Sequence, residues 1–166
     1  SFPSVCSFNA ASNSILDSWD SAISRYTGQF LRRGVLFSGD IASNIMFGNS
    51  HGSDDEMIEE AEIAQATEFI DQKKKKYKSP ISQGGANVSG GQKQRAAVAR
   101  AIITKPELIL ADEPTGNLDY QTGQEIMKLI CASSELYRQT IVMVTHDMDS
   151  ANYADRIMYM EDGALR

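Results

Sequence analysis

The chain has 166 residues, 42% of them hydrophobic and 23% charged, a composition typical of one globular domain with a substantial core. Its formal net charge of −6 argues against a nucleic-acid-binding surface, which would carry an excess of Lys and Arg. No apolar run approaches the roughly 20 residues of a membrane-spanning helix, so any membrane association would come through a partner or another part of the protein.

The first half of the sequence predicts short helices separated by turns. Apolar residues between Ile15 and Tyr26 recur at helical spacing and predict a short amphipathic helix. An apolar stretch at 34–40 closes with turn residues, and 41–47 is typical of a short helix. Ser53 is placed to cap a helix over 54–67, whose first turn carries acidic residues that the helix dipole favours.

From residue 89 onward, helical segments alternate with short apolar runs. The predicted order is helix 90–104, strand 108–111, helix 121–135, strand 140–145, helix 147–152 and strand 156–160. This alternation predicts an α/β fold, with a parallel sheet that is covered by helices.

Two adjacent carboxylates, Asp112 and Glu113, stand where the first of these buried strands ends. Parallel sheets bind ligands at the carboxyl ends of their strands, and paired carboxylates there are costly without a cation or a proton-transfer task. In a phosphate site, Asp112 would hold Mg²⁺ through water and Glu113 would polarise an attacking water. The alternative is a solvated strand end that leads into a turn at Pro114.

A glycine-rich turn precedes these carboxylates, and a histidine follows them. Ser89-Gly90-Gly91-Gln92 opens a helix with bare backbone N–H groups, which can bind an anion, although an ordinary glycine-rich helix start has the same pattern. His146 follows the next buried strand, where it could sense a terminal phosphate. Asn117-Leu118-Asp119 supplies a third carboxylate between the two strands.

Taken together, the order and spacing of these motifs resemble the nucleotide-binding domain of exporter-type ATP-binding cassette (ABC) transporters, over residues 34–163. The matching segments are Ser89–Gln92 with the signature motif, Leu108–Asp112 with the Walker B strand, Glu113 with the catalytic carboxylate, Asn117–Asp119 with the D-loop and His146 with the switch histidine. The resemblance implies a partial P-loop NTPase (RecA-like) parallel sheet with helices, plus an ABC-type α-helical subdomain.

The resemblance also implies a function, with ATP and Mg²⁺ as the ligands. Glu113 and His146 would be catalytic, Asp112 would hold Mg²⁺ through water, and Ser89, Gly90, Gly91, Gln92 and Asp119 would contact nucleotide. Two such domains would dimerise head to tail and power export through a transmembrane partner domain. The chain would then lie at the cytoplasmic face of the membrane, held there by that partner, with no nucleic acid involved.

The sequence departs from the family at the phosphate loop, which should contain G-x-x-x-x-G-K-[ST]. Gly34 to Gly39 and Gly85 to Gly90 have the glycine spacing, but no lysine follows either pair. In family order this loop precedes Leu36 by a few dozen residues, so we expect the chain to start after it and to be inactive alone. At the expected glutamine of the Q-loop stands Arg32.

The resemblance predicts three regions: a degenerate segment at 1–33 with an altered Q-loop, a helical subdomain at 34–104 and the C-terminal half of the RecA-like core at 105–166. Two other functions remain open, a non-catalytic module that completes a partner's ATP site in trans and an ABC-class ATPase outside transport. A third possibility is a gene remnant, whose sheet would lack its central strand and expose an open edge.

Overall fold

The computed structural model describes residues 5–9, 29–32, 34–161 and 164–165. The predicted amphipathic helix between Ile15 and Tyr26 lies outside these residues. Two sheets are present in the described part of the chain. The strands are β1 (Val5–Asn9), β2 (Gln29–Arg32), β3 (Gly39–Asp40), β4 (Pro80–Ile81), β5 (Leu108–Asp112), β6 (Thr140–Val144), β7 (Arg156–Glu161) and β8 (Ala164–Leu165).

The main sheet has the strand order β2-β5-β6-β1-β7-β8. All neighbours from β2 to β7 pair in parallel, and only β8 pairs antiparallel, with β7. β3 and β4 form a separate antiparallel pair. The predicted parallel sheet is therefore confirmed, and the carboxyl ends of its strands meet at one edge.

The centre of the main sheet is filled by β1, which comes from the N-terminal segment. Phe8 aligns with Val144 of β6 on one side, and Asn9 aligns with Tyr159 of β7 on the other. The expectation of a sheet without a central strand, open at an edge there, is therefore wrong. A five-residue strand bounded by serine-rich sequence gives a weak local signal, and long-range pairing on both sides forms it instead.

The described helices are α1 (Ile41–Ile45), α2 (Asp54–Ile63), α3 (Thr67–Asp71), α4 (Gly90–Ile102), α5 (Tyr120–Tyr137) and α6 (Met148–Ala151). Short 3-10 turns follow α1 at Met46–Gly48 and flank β4 at Lys76–Lys78 and Gln83–Gly85. None of the helices in this part of the chain is long and apolar enough to cross a membrane.

The helix predicted over 54–67 ends earlier, at Ile63, and a second helix begins at Thr67, because Gln65 between them adopts a positive φ of 49°. Around Gln65 the backbone forms a C-terminal cap, in which Ala66 N donates to Ala61 O at 2.7 Å and Gln65 N donates to Glu62 O at 2.8 Å. Glycine usually occupies such a left-handed position, so a glutamine there carries no local stop signal. At the other end, Ser53 caps α2 as predicted, with Glu56 completing a capping box.

Helix α4 lies at the middle of the hydrophobic core. It packs against the helices α1, α2 and α5 and against strand β2. Its buried apolar residues are mostly small, which lets neighbouring elements approach closely: Ala96, Ala97, Val98, Ala99, Ala101 and Ile102. The helix that begins at the glycine-rich turn therefore joins the helical part of the chain to the sheet.

Candidate active site

The carboxylates lie at the carboxyl end of β5, beside β6. Asp112 aligns with Val144, and Glu113 N donates to Val144 O at 2.9 Å, which extends the ladder by one residue. Glu113 then turns with a positive φ of 47°, and Gly116 N donates to its carbonyl at 3.1 Å. A left-handed non-glycine residue costs about 1–2 kcal/mol, so the surrounding structure maintains a strained backbone at this carboxylate.

Glu113 and His146 form a close pair across the ends of β5 and β6. The Glu113 Oε1 atom lies 2.6 Å from His146 Nδ1 and accepts a hydrogen bond from His146 N at 3.0 Å. The Thr145 hydroxyl donates to the other oxygen, Oε2, at the longer distance of 3.4 Å. The carboxylate is buried while the imidazole side chain is 76% exposed, so His146 screens Glu113 and faces solvent itself.

Asp112 is buried at the last position of β5, where the backbone of Arg32 pairs with it from β2. Within the described residues, no group of three or more His, Cys, Asp or Glu side chains could hold a metal ion alone. Mg²⁺ commonly binds through one or two carboxylates, with waters and substrate phosphates completing its shell. A single buried Asp112 with Glu113 beside it fits a Mg²⁺ ion that arrives with a nucleotide.

The glycine-rich turn begins α4 through a capping box. Gln92 N donates to Ser89 Oγ at 3.3 Å, and Ser89 N donates to Gln92 Oε1 at 3.3 Å. Ser89 and Gly90 are exposed, while Gly91 and Gln92 are half-buried.

The two glycines also have a packing role that the sequence interpretation missed. A Cβ at Gly90 would lie 2.9 Å from Leu118 Cδ2, and one at Gly91 would lie 2.9 Å from Thr122 Cγ2. The start of α4 therefore packs directly against the 117–119 turn and the first turn of α5. The local sequence could not have predicted these contacts, because they join segments that are distant in sequence.

Asp119 acts first as the N-cap of α5. Its Oδ1 accepts a hydrogen bond from Thr122 N at 3.0 Å, and hydrogen bonds from Thr122 hold the pKa of the exposed Asp119 carboxyl below its usual value. The carboxylate is exposed at the helix start, so capping does not prevent it from facing a second molecule.

A buried hydroxyl bridge joins the turn after Glu113 to the segment after His146. Thr115 Oγ1 and Ser150 Oγ are 2.9 Å apart, and Ser150 Oγ donates to Asp147 Oδ2 at 2.6 Å. The hydrogen bond from the Ser150 side chain is the largest of the effects that lower the pKa of Asp147. Sequence reasoning did not identify Thr115 or Ser150, since isolated hydroxyls after a strand or within a short helix carry no distinctive signal.

Glu113 thus lies between two clefts. One, of about 460 Å³, is lined on its polar side by Glu113, Asp119, His146, Asp147 and Ser150. The other, of about 350 Å³, lies between Glu113, Asn117 and the start of α4 at Gly90. The structure therefore brings the predicted carboxylates, His146, the 117–119 turn and the signature segment around one edge of the sheet.

A family model described as ABC transporter matches residues 12–116, more than half of the chain. The chain belongs to the ABC transporter family. The predicted ABC family and the α/β fold class are therefore confirmed. The match also includes most of the N-terminal segment in which the sequence offered no clear motif.

Among the relatives of this ABC domain is an uncharacterized ABC transporter ATP-binding protein, YfiB, of Bacillus subtilis, 38% identical over 85% of this chain and 24% of that protein. Multidrug resistance protein homolog 65 of Drosophila melanogaster is 37% identical over 91% of this chain and 12% of that protein. The alpha-hemolysin translocation ATP-binding protein HlyB of Escherichia coli is 34% identical over 85% of this chain and 20% of that protein. The chain thus spans a quarter or less of each relative.

A solved structure of a bacterial Atm1-family ABC exporter with ATP bound matches this ABC domain with a TM-score of 0.81. The match covers 98% of this chain and 32% of the exporter chain, at 24% sequence identity. At this identity the likeness establishes the fold. The roles of the individual site residues and the three predicted regions stay predictions.

Proposed function

We propose that this chain supplies part of an ATP-hydrolysing unit that powers export across a membrane. The observation that carries the proposal is the Glu113–His146 pair at the ends of β5 and β6. In the proposed site Glu113 and His146 are catalytic, Asp112 holds Mg²⁺ through water, and Ser89, Gly90, Gly91, Gln92 and Asp119 face nucleotide bound by a partner. Mg²⁺ would supply charge compensation for the phosphates.

The two oxygens of Glu113 are suited to different tasks. His146 holds Oε1 through two short contacts, which fixes the orientation of the carboxylate. Oε2 receives only the 3.4 Å contact from Thr145, so it is the oxygen better placed to accept a proton from an attacking water. His146, exposed at the same edge, would reach the terminal phosphate from its solvent side.

Phosphate binding in cis is the part of this function that the 166 residues do not supply, because they contain no G-x-x-x-x-G-K-[ST] motif. Without that lysine and its nest of N–H groups, a triphosphate loses its main cradle. We therefore expect no ATP turnover by this polypeptide alone. We also retain 34–104 as the helical subdomain, 105–166 as the C-terminal half of the core and 1–33 as an altered N-terminal segment.

Measurements of phosphate release test both the expected inactivity of the isolated chain and the proposed catalytic role of Glu113. The polypeptide alone should release phosphate at the background rate, and Glu113→Gln should leave that rate unchanged. Mixing it with an ABC domain that carries an intact phosphate loop should raise turnover above that of either protein alone, and, if Glu113 acts on the nucleotide held by that loop, Glu113→Gln should reduce the added turnover by about 10²–10⁴-fold, the usual contribution of general-base catalysis. Turnover by the isolated chain that Glu113→Gln abolishes would overturn the claim of inactivity.

A non-catalytic role in trans is the second candidate, favoured by the exposure of Ser89 at the start of α4. In that case the chain would complete a partner's ATP site through Ser89–Gln92 while Glu113 contributes nothing. The mixed assay separates the two candidates, because Ser89→Arg would abolish turnover in both while Glu113→Gln would matter only in the first. A role outside transport finds no support among the relatives described above.

The transmembrane partner would dock on an exposed apolar patch formed by Val35, Phe37 and Phe47. The two phenyl rings lie 4.7 Å apart, and Phe47 is 67% exposed. Arg100 supports the patch from below, with its guanidinium 5.1 Å from the Phe37 ring and one nitrogen donating to Val35 O at 2.9 Å. Exposed apolar groups held by these contacts suit an apolar helix of a partner.

Docking through this patch would hold the chain at the cytoplasmic face of the membrane. Phe47→Ser should weaken co-purification with the transmembrane domain at least tenfold, whereas Ile58→Ser, at an exposed residue of α2, should not. Equal retention of the two variants would remove the patch from the proposal.

A further inference from the structure

Glu60 is a fully buried carboxyl that takes no part in the proposed site. It lies on α2, and its side chain has no exposed surface. Glutamate is almost never buried to this degree unless it is paired. Its surroundings are the C-terminal end of α5 and the turn that leads from α4 into β5.

The partners of Glu60 all converge on one of its two oxygens. The Tyr137 hydroxyl donates to Oε1 at 2.7 Å, and Lys105 Nζ lies 3.7 Å from the same atom. Lys105 also lies 5.4 Å from the centre of the Tyr137 ring, so the three side chains form one cluster. Oε2 is buried and has no hydrogen-bond partner among the described residues. An ionised carboxylate, which can accept about four hydrogen bonds, is therefore poorly satisfied here.

The electrostatic balance at Glu60 follows from these contacts. Burial, the largest effect, raises the pKa of Glu60 above its ordinary value, and the charge of neighbouring Glu59 raises it further. The Tyr137 hydrogen bond and the Lys105 charge lower the pKa, but they do not offset burial. Burial and the bond to Glu60 also raise the pKa of Tyr137, which therefore remains a donor throughout the physiological range.

We propose that Glu60 is a protonation-dependent tie between α2 and the end of α5, closed when the carboxyl is neutral and loosened when it is charged. This contact lies between elements that lead to the proposed site. α2 packs on α4, whose N-cap is Ser89, and Lys105 lies just before β5, which ends in Asp112. Protonation of Glu60 thus changes how firmly the helical part of the chain rests against the sheet. This inference does not depend on the proposed ATPase function.

The direction of the pH effect follows from linkage between protonation and stability. A group whose pKa is raised by folding contributes stability that is complete below its unfolded value, which is 4.5 for Glu. That stability is lost as the pH rises through the folded value. Within this window, the equilibrium for opening the α2–α5 contact should increase about tenfold per pH unit, because one proton is released on opening.

Hydrogen exchange of the α2 amides, corrected for the pH dependence of intrinsic exchange, tests the tie on the whole chain between pH 5 and pH 8. The test variant is Glu60→Gln, which keeps an oxygen for Tyr137 but cannot ionise. The matched control is Glu62→Gln, the same change at an exposed position of α2 whose charge is not among the influences on the pKa of Glu60. The ratio of protection factors between variant and wild type removes contributions from other titrating groups.

Relative to wild type, Glu60→Gln should protect α2 more strongly as the pH rises, by about tenfold per unit within the window, while Glu62→Gln should follow the wild type. Tyr137→Phe removes a donor to the charged form and should extend the window to higher pH. A Glu60→Gln ratio that is constant with pH would mean a purely structural role and would overturn the proposal. Weaker protection of Glu60→Gln at pH 8 would also overturn it, since Lys105 and Glu60 would then act as a stabilising ion pair.

Discussion

The capping box at Ser89 can be separated from its role in nucleotide contact, because the chain contains a second box of the same design. Ser53 and Glu56 begin α2 in the way that Ser89 and Gln92 begin α4, with N to Oγ distances of 3.2 and 3.3 Å. We predict that Ser89→Ala and Ser53→Ala cost similar stability, whereas only Ser89→Ala affects ATP turnover by a mixed complex with a loop-bearing partner domain.

The magnitude follows from the hydrogen bond that is lost. Removing an N-cap hydroxyl costs about 0.5–2 kcal/mol, and distances of 3.2–3.3 Å are at the long end for such bonds, which favours about 1 kcal/mol. For a chain of this size, that lowers the melting temperature by about 2–4 °C. Ser53→Ala should cost slightly less stability than Ser89→Ala. Three acidic residues in the first turn of α2 still interact favourably with the helix dipole, whereas the first turn of α4 has none.

The expected effect of Ser89→Ala on ATP turnover is larger than its effect on stability. A hydroxyl that contacts a phosphate makes a charge-assisted hydrogen bond of about 1.5–3 kcal/mol, so its loss should reduce turnover by about 10–150-fold. Differential scanning calorimetry and phosphate release measure the two effects. Equal loss of turnover in both variants would show that the result reflects folding, and unchanged melting of Ser89→Ala would refute the capping argument.

Two further predictions concern side chains around the site. Ser150→Ala should raise the pKa of Asp147 toward its ordinary value and cost about 1–2 kcal/mol, because Thr115 and Asp147 each lose a buried partner. A lowered pKa contributes stability above the unfolded value that is lost as the pH falls through the folded value. Urea unfolding should therefore show a stability difference at pH 7 that shrinks toward pH 3, and a constant difference would contradict the assigned cause. Gly91→Val should cost about 1–3 kcal/mol by urea unfolding, because its side chain would overlap Thr122, and an unchanged midpoint would refute the close approach.

The sequence was most informative where local signals and topology agree. The apolar runs that end in Asp112 and before His146 predict parallel strands, and parallel strands bring their carboxyl ends to one edge. The contact between Glu113 and His146 follows from that topology, although their 2.6 Å separation could not be predicted. The Ser53 cap was likewise evident because its signal lies within four residues.

Features that depend on distant segments were not predictable. Gln65 ends α2 in a left-handed conformation that its residue type disfavours, so the packing of α2 and α3 must impose it. The glycines of the signature segment indicated an anion site, but their contacts with Leu118 and Thr122 arise only when α4 and α5 pack together. The burial of Glu60 is of the same kind, because its partners Tyr137 and Lys105 lie far along the chain.

The position of β1 has a consequence for how the chain is made. β1 leaves the ribosome well before both of its partners, β6 and β7, which lie in the last fifth of these 166 residues. At about 5–20 residues per second, synthesis leaves β1 without its neighbours for on the order of 10 s. Its two unpaired edges are then open to other chains, so the nascent polypeptide requires protection during translation.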